Sequence, residues 1–303
     1  MANHQKAFGD LLWRWVVIVL PYLWLVLFFL VPFAIVFKIS FSDPIVAQPP
    51  FTPLFDQSQN FLNRFQGSLN NYLFLLEDNL YWVSYLRSIK VAFISTIFCL
   101  LLGYPMAYYI AQSAPTKRNV LLMLIILPFW TSFLLRVYAW MGILSTNGII
   151  NSVLLWIGMI DQPIQMLYTN FAVYLGIVYT YLPFMILPLY ANLERLDLNL
   201  HDAAADLGGK PLQVFRDITL PVSLPGIIAG SLLVFIPAMG EFVIPALLGG
   251  LDSLMIGRTL YDEFFVNRDW PLASAVATIL LLILVLPMVL FQRTQAKSAE
   301  ENS

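Results

Sequence analysis

The sequence has 303 residues, of which 59% are hydrophobic and 11% are charged, and its mean hydropathy is +0.76. A soluble domain carries about a quarter charged residues, so this composition excludes a water-facing globular fold. The net charge of −2 gives no sign of a nucleic-acid-binding surface. One cysteine, Cys99, and two histidines, His4 and His201, provide neither a disulfide framework nor a metal-ligand pattern. We therefore expect an all-α polytopic membrane protein without a metal site.

Six charge-poor apolar stretches are each long enough to cross about 30 Å of hydrocarbon at about 1.5 Å per residue. In chain order, we place the six spans within residues 15–37, 91–116, 119–144, 162–193, 218–248 and 271–292. Residues 149–160 form another apolar stretch, which is too short to cross, and we interpret it as an interfacial helix on the outer face. The N-terminal apolar core is too long for a cleaved signal peptide, so we interpret it as a retained first span.

The distribution of lysine and arginine predicts the orientation of the spans, because short cytoplasmic loops are enriched in both. With six spans, nine basic residues lie on the side of the two termini: Lys6, Arg14, Lys117, Arg118, Arg195, Lys210, Arg216, Arg293 and Lys297. We therefore expect both termini in the cytoplasm (N-in/C-in). The predicted organisation is a cytoplasmic N-terminus over 1–14, a six-span membrane domain over 15–292 and a cytoplasmic tail over 293–303.

A long polar connection, residues 39–88, joins the first two spans on the outer side and carries several prolines and asparagines. We expect some helix near residues 71–80. Connections of this length are usually functional or disordered. Two interpretations stay open, a solvated connector and a surface that docks something outside the cell.

The connection between the fourth and fifth spans, residues 194–225, has the signals of two short helices joined by a turn. Asp197 or Asn199 can cap the first helix at its N-terminus. Gly208 or Gly209 can end that helix in the left-handed conformation, and Pro211 suits the first turn of a second helix. We expect a compact helix-turn-helix under the membrane.

The second helix of this connection is expected to end before Pro221. The first helix has Ala203, Ala204 and Leu207 on its outer surface, where a solvated helix would carry charged residues. Such a surface of small and apolar side chains lets another protein approach closely.

A spaced motif runs through this connection, since Asp202-Ala-Ala is followed by Gly208 and then by Ile218-x-Leu220-Pro221. The motif resembles the EAA loop of the membrane subunits of bacterial ABC importers, including its place before the fifth of six spans. Asp202 stands where the family usually has glutamate, which keeps the charge. Residues 84–111, 127–144 and 239–250 extend the resemblance over nearly the whole chain, and they look most like permeases of putrescine or spermidine importers.

The resemblance implies a type I ABC importer permease fold in a bacterial inner membrane. It implies that one group of residues couples the chain to an ATPase: Asp202, Ala203, Ala204, Leu207, Gly208, Ile218, Leu220 and Pro221. The implied partners are a second homologous permease in a heterodimer, two copies of a cytoplasmic ABC ATPase and a periplasmic polyamine-binding protein. Importers with this loop also carry other small solutes, and a secondary transporter or channel is the alternative from another class.

Catalytic motifs are missing from the sequence. It has no G-x-x-x-x-G-K-[ST] loop for binding ATP, no H-E-x-x-H and no G-x-S-x-G. We therefore expect a non-catalytic subunit without its own cofactor, with ATP and Mg²⁺ bound by the partner ATPase.

Glu241 is the first candidate for a substrate pathway, because a carboxylate at membrane depth is costly and usually faces a cavity or a partner. Pro237, Gly240 and Pro245 around it can break the helix and expose backbone carbonyls. Carboxylates, carbonyls and aromatic faces together suit the ammonium groups of a polyamine. The other candidates are one acid and five aromatics: Asp252, Trp130, Tyr138, Trp140, Tyr179 and Tyr181. The alternatives are an interfacial belt for the aromatics and an ion pair with a partner for Glu241.

Gly226 and Gly230 form a G-x-x-x-G pair in the fifth span. Such pairs let two helices pack closely in a bilayer. The pair can contact another span of this chain or a second permease subunit.

Overall fold

The computed structural model describes residues 16–54, 67–197, 199–250 and 253–301. In chain order the helices are α1 (Val16–Ile39), α2 (Asn70–Glu77), α3 (Asn79–Ala111), α4 (Pro115–Ile126), α5 (Phe133–Leu144), α6 (Ile149–Trp156), α7 (Asn170–Leu193), α8 (Asn199–Asp206), α9 (Pro211–Val214), α10 (Leu220–Met239), α11 (Val243–Leu248), α12 (Ile256–Tyr261) and α13 (Trp270–Glu301). The chain divides into two compact units, one of Met1–Asn79 with Leu260–Ser303 and one of Leu80–Thr259.

Five helical stretches of the described chain are long and apolar enough to cross a bilayer: Val16–Ile39, Asn79–Ala111, Phe133–Trp156, Asn170–Leu193 and Pro211–Met239. A sixth apolar stretch, Trp270–Val285, is shorter. Helices are suited to this environment because they satisfy their own backbone hydrogen bonds, which hydrocarbon cannot do. The prediction of an all-α polytopic membrane protein is confirmed.

In the first unit, α13 packs against α1 and α2. Asn71, in the first turn of α2, is buried and donates from Nδ2 to the carbonyl oxygens of Ser40 and Ser42, at 2.9 and 2.8 Å. The Ser40 hydroxyl also bonds the Tyr72 hydroxyl at 2.7 Å. These bonds tie the chain that leaves α1 to α2. The helix predicted near residues 71–80 is therefore present, and buried polar bonds hold it.

In the second unit, α7 and α10 pack along the two glycines of the fifth span. A Cβ atom on Gly226 would lie 2.8 Å from Cβ of Asn192, and one on Gly230 would lie 2.8 Å from Sδ of Met185. Real Cβ atoms do not approach that closely, so only glycine permits this helix spacing. The G-x-x-x-G pair is thus used for packing within the chain.

The stretch predicted as the third span, within residues 119–144, is divided between two helices. After α4, residues Leu127–Trp130 form a 3-10 turn, and the backbone is extended at Thr131 and Ser132 before α5 begins. Pro128 has no N–H to donate to the preceding turn, and its carbonyl accepts both the N–H and the hydroxyl of Thr131, at 3.3 and 2.8 Å. These contacts close the turn and end the helix there.

The second short helix after the fourth span does not stop before Pro221, so that expectation was wrong. α9 continues through a π turn, Phe215–Thr219, directly into α10, which includes Pro221. In the wider turn the N–H of Leu220 bonds the carbonyl of Phe215, five residues back. Local π geometry of this kind accommodates the missing N–H of a proline in a membrane helix.

Other helix ends differ from the predicted spans by several residues. α3 begins at Asn79, so the end of the predicted outer connection 39–88 is helical, and α13 extends to Glu301, past the predicted span end at 292. The stretch 149–160 contains α6, which has eight residues. α6 is held by Asn151, whose amide exchanges two hydrogen bonds of 2.9 Å with the backbone of Ile164.

Candidate functional site

The candidate coupling segment, residues 197–221, starts with a capped helix. The Oδ1 atom of Asp197 accepts hydrogen bonds from the backbone N–H and the side-chain Nδ2 of Asn199, at 3.0 and 2.8 Å. An acceptor at this position satisfies a backbone donor that the helix leaves free. Of the two residues predicted as alternative caps, Asp197 is the acceptor, and Asn199 is the first helical residue and donates to it.

The turn of the coupling segment depends on two adjacent glycines for different reasons. Gly208 has a φ of +84°, a left-handed conformation that glycine adopts without steric cost. Gly209 donates its N–H to the carbonyl of Ala204 at 2.9 Å, and a Cβ atom there would lie 2.8 Å from that oxygen. Lys210 then donates its N–H to Oε1 of Gln213 at 2.9 Å, which starts α9. The predicted helix-turn-helix is present, and its turn has little steric freedom.

The surface of this segment is apolar and open. Leu207 is 90% exposed and Leu212 is 78% exposed. Of the other predicted coupling residues near the turn, Asp202, Ala203 and Gly208 are exposed and Ala204 is half-buried. Exposed apolar side chains beside small residues are typical of a surface that another protein covers.

The remaining predicted coupling residues lie beyond α9. Ile218, in the π turn, is half-buried, and Leu220 and Pro221, at the start of α10, are exposed. The structure therefore distributes the predicted coupling residues over two helical segments, and α9 with the π turn runs without a break into the fifth span.

An aromatic contact that the sequence analysis missed fixes the π turn to α3. The ring of Phe215 meets Tyr104 and Tyr108 edge to face, with centroid distances of 5.6 and 6.4 Å. The Tyr104 hydroxyl also bonds the Ser223 hydroxyl at 2.9 Å. Tyr104 and Tyr108 lie four residues apart on one side of α3. This spacing is the feature of the sequence that could have indicated an aromatic contact on this side of the helix.

A salt bridge provides a second tie beside the coupling segment. Arg118 in α4 donates from Nη1 to Oε1 of Glu194, the residue that follows α7. The two side chains are 20% and 40% exposed, so screening by solvent leaves the pair worth no more than about 1 kcal/mol. The pair links two connections that lie on the same predicted side of the membrane.

Glu241 lies in a break between α10 and α11, as the surrounding prolines and glycine predicted. Its side chain is 7% exposed, and Oε1 accepts the N–H groups of Phe242, Val243 and Ile244, at 3.1, 3.0 and 3.4 Å. Tyr181 of α7 donates its hydroxyl to Oε2 at 2.6 Å. Four hydrogen-bond donors therefore hold this carboxylate in the break.

A close backbone approach also shapes this break. Gly257, in the first turn of α12, lies so near the break that a Cβ atom would be 2.3 Å from the carbonyl oxygen of Gly240 and 2.8 Å from that of Glu241. The N–H of Ile256 beside it donates to the buried hydroxyl of Ser88 in α3 at 2.8 Å. No feature of the local sequence distinguishes Gly257, because its contacts are with residues distant in sequence.

The predicted aromatic candidates fall into separate groups. Tyr181 contacts Glu241, whereas Trp140 and Tyr179 pack edge to face with a centroid distance of 5.4 Å. Trp130 is 74% exposed and Tyr138 is 53% exposed, so neither belongs to the packed interior. Asp252 lies outside the described residues. Within the described ranges no three His, Cys, Asp or Glu side chains come together as a metal site.

Comparison with known proteins gives one family for this chain. Residues 99–300 match the family model described as "Binding-protein-dependent transport system inner membrane component". The chain is 42% identical over 273 residues to the spermidine/putrescine transport system permease protein PotB of Escherichia coli (strain K12), covering 89% of this chain and 93% of that protein. It is 40% identical over 270 residues to the protein of the same name from Haemophilus influenzae, covering 89% and 90%.

Solved structures agree with this family in fold. A chain in the crystal structure of a bacterial alginate ABC transporter, in complex with an alginate pentasaccharide-bound periplasmic protein, has a TM-score of 0.70 at 17% identity, covering 92% of each chain. The inward-facing MetNI methionine ABC transporter gives a TM-score of 0.51, covering 70% of this chain. The family match, the relatives and the apolar helices identify a multi-pass protein of the bacterial inner membrane. The chain belongs to the family of inner membrane components of binding-protein-dependent transport systems.

Proposed function

We propose that this chain is the permease subunit of an ATP-driven importer of putrescine or spermidine. The observation that carries the proposal is the 42% identity to a spermidine/putrescine permease over 89% of the chain. The chain forms the pathway together with a second, different permease. Two copies of a cytoplasmic ABC ATPase drive transport, and a periplasmic binding protein delivers the polyamine.

The coupling segment is the surface that docks the ATPase. Three features support this assignment: the exposed Leu207 and Leu212, the small and exposed side chain of Ala203, and a turn that Gly208 and Gly209 hold in one shape. Because α9 runs without interruption into α10, a displacement of the docked segment moves the fifth span with it. Closure of the ATPase is transmitted to the membrane by this continuous path.

Glu241 belongs to the pathway as an acceptor for a substrate ammonium group. Its Oε2 atom accepts one hydrogen bond, from Tyr181, and a carboxylate oxygen has room for two. The break that holds Glu241 between α10 and α11 is the part of the fifth span where backbone carbonyls leave the helical pattern. Opening of this break provides charge and carbonyl oxygens in one place, which suits a polyamine cation.

Two substitutions at the coupling segment test the assignment of its surface. Gly208→Asp strains the left-handed turn, and Ala204→Trp adds bulk beside it. We expect the chain to stay in the membrane, with co-purification of the ATPase and polyamine uptake reduced to background. Gln165→Trp, at an exposed position between α6 and α7, is the matched control and should leave both intact. Full substrate-stimulated ATP hydrolysis and uptake in the coupling variants would refute the assignment.

Co-purification of the tagged chain from its native membranes tests the assembly. The proposal predicts an ABC ATPase and a second permease of different sequence in the same complex. Recovery of the chain alone, with uptake that needs no ATPase, would identify a secondary transporter or channel instead.

A further inference from the structure

Two basic side chains on α3 share one side of the helix and have no partner among the residues that the structure describes. Arg87 and Lys90 are three residues apart, which places them on neighbouring positions of one helix surface. Arg87 is half-buried and Lys90 is exposed, and neither has a hydrogen bond or ion pair with a residue that the structure describes. They line a cavity of about 530 Å³ together with Asn170 and Tyr174 of α7. The cavity is therefore positively charged and has polar hydrogen-bonding groups on its other wall.

The position of this cavity relative to the hydrocarbon core follows from the uncharged lengths of α3 and α7. From Lys90 to the end of α3 at Ala111 no residue is charged, and this length is about 30 Å, the thickness of a hydrocarbon core. Asn170 is the first residue of α7, which is charge-free to its last residue, Leu193. Both walls of the cavity thus start where the hydrocarbon ends. From these lengths we infer that Arg87 and Lys90 lie at the level of the lipid phosphates.

An apolar groove continues from this cavity into the hydrocarbon. The groove has a volume of about 490 Å³ and shares Asn170 and Tyr174 with the cavity. Farther along α3 and α7, it is lined by Phe98, Leu102 and Val178. Leu102 lies about 18 Å along α3 from Lys90, and Val178 lies about 12 Å along α7 from Asn170. This length is about half of a 30 Å hydrocarbon core, which is the depth of one leaflet. The exposed rings and methyl groups of the groove have the size and polarity that suit an acyl chain.

We propose that α3 and α7 form a binding site for an anionic phospholipid, with its phosphate at Arg87 and Lys90 and one acyl chain in the groove of Phe98, Leu102 and Val178. Charge selects the headgroup, because the net charge of an anionic lipid neutralises two cations that have no partner in the described part of the chain, and a zwitterionic lipid carries no net charge. The site occupies the leaflet on the side of the N-terminus of α3. It is independent of the transported substrate.

Native mass spectrometry of the detergent-purified full-length chain, in the complex it forms, tests the site with added phosphatidylglycerol and phosphatidylcholine as probes. We expect retention of phosphatidylglycerol in preference to phosphatidylcholine. In the double variant Arg87→Gln with Lys90→Gln we expect binding about thirtyfold weaker, as for two basic groups at about 1 kcal/mol each. The matched control, Lys117→Gln with Arg195→Gln, removes two cations that lie beyond the C-terminal ends of α3 and α7, one in α4 and one just after α7, and should retain the preference.

A second variant separates the groove from the charges. Leu102→Trp fills the groove and leaves Arg87 and Lys90 in place, so we expect it to lose phosphatidylglycerol as well. If the double variant does not insert into the membrane, phosphatidylglycerol binding by Leu102→Trp tests the proposal by itself. The proposal would be overturned if either variant retained phosphatidylglycerol as well as the unmodified chain does. It would also be overturned if the unmodified chain showed no preference for phosphatidylglycerol over phosphatidylcholine.

A photo-crosslinking residue at Phe98 provides the check in native membranes. The proposal predicts crosslinks to phospholipid. Crosslinks to another protein chain would show that this surface is a subunit interface and that the lipid site does not exist.

Discussion

At the level of single residues, the local sequence predicts the break around Glu241 but not the hydrogen-bond partner of its carboxylate. The carboxylate in an apolar span and the break around it follow from local signals, the charge at membrane depth and the nearby Pro237, Gly240 and Pro245. The partner of Glu241 cannot be predicted from local signals, because Tyr181 is 60 residues away in sequence and only tertiary packing brings the two together. The three N–H donors come from the start of α11, whose boundary was not predicted.

Substitution of Glu241 by Gln tests its role in the pathway. The amide keeps an oxygen for the N–H groups of α11 but removes the negative charge, so the break stays capped and the cation loses its acceptor. We expect assembly with the ATPase to persist and polyamine uptake to fall about tenfold or more, since a hydrogen bond to a charged group contributes about 1.5–3 kcal/mol. Radiolabelled uptake in membrane vesicles, with Tyr181→Phe in parallel, measures this. Unchanged uptake in Glu241→Gln would remove Glu241 from the pathway.

Gly257 allows a sharp test of the backbone contact at the same break. Gly257→Ala places a methyl group 2.3 Å from the carbonyl oxygen of Gly240, so α12 has to move, and overpacking of this kind costs about 1–3 kcal/mol. We expect a lower thermal unfolding temperature for the purified chain. Gly142→Ala is the control, because no atom lies within 4 Å of the added methyl group. Equal unfolding temperatures for the two variants would contradict the described contact.

At the scale of elements, local chemistry predicted the coupling segment well. Its cap at Asp197 and its turn at Gly208 depend on neighbours in sequence, and both are present in the structure. The continuation through Pro221 and the interruption at Thr131 were not predicted. Both depend on how the chain redistributes hydrogen bonds around a proline, by a π turn in one case and a 3-10 turn in the other, and composition does not distinguish these outcomes.

The contact between Phe215 and α3 predicts a coupling defect without loss of the fold. Phe215→Ala removes two ring contacts, each worth about 0.5–1.5 kcal/mol, from the path between the coupling segment and the spans. We expect ATP hydrolysis to continue while uptake per ATP falls at least fivefold, about the low end of allosteric coupling. Phe93→Ala, at an exposed position on α3, is the control. A proportional loss of hydrolysis and uptake would show that Phe215 acts on assembly instead.

At the scale of the whole molecule, composition was sufficient for the class of protein, because a chain with 11% charged residues cannot cover itself with a polar surface. The number of apolar stretches followed from their length. The division into two compact units could not be predicted from the sequence, because it depends on α1 and α13 packing together from opposite ends of the chain. The resemblance seen in the EAA-like motif agrees with the family match over residues 99–300.

The orientation of the spans stays a prediction with a direct measurement. In a Cys99→Ala background, a single cysteine at Lys117 should react with a membrane-impermeant maleimide only in inverted vesicles. A cysteine at Gln165 should react only in right-side-out vesicles, because the positive-inside distribution puts residues 117 and 165 on opposite sides. Reaction of both positions from the same side would contradict a six-span N-in/C-in arrangement.

The central claim, that this chain is the permease of an ATP-driven polyamine importer, is tested most directly by uptake in proteoliposomes. The complex purified through this chain is reconstituted with ATP inside and with labelled putrescine or spermidine and the binding protein outside. We expect accumulation that requires ATP and the binding protein, that unlabelled polyamine reduces by competition, and that Gly208→Asp abolishes. Accumulation of another solute in place of polyamines, or polyamine uptake that does not depend on ATP, would contradict it.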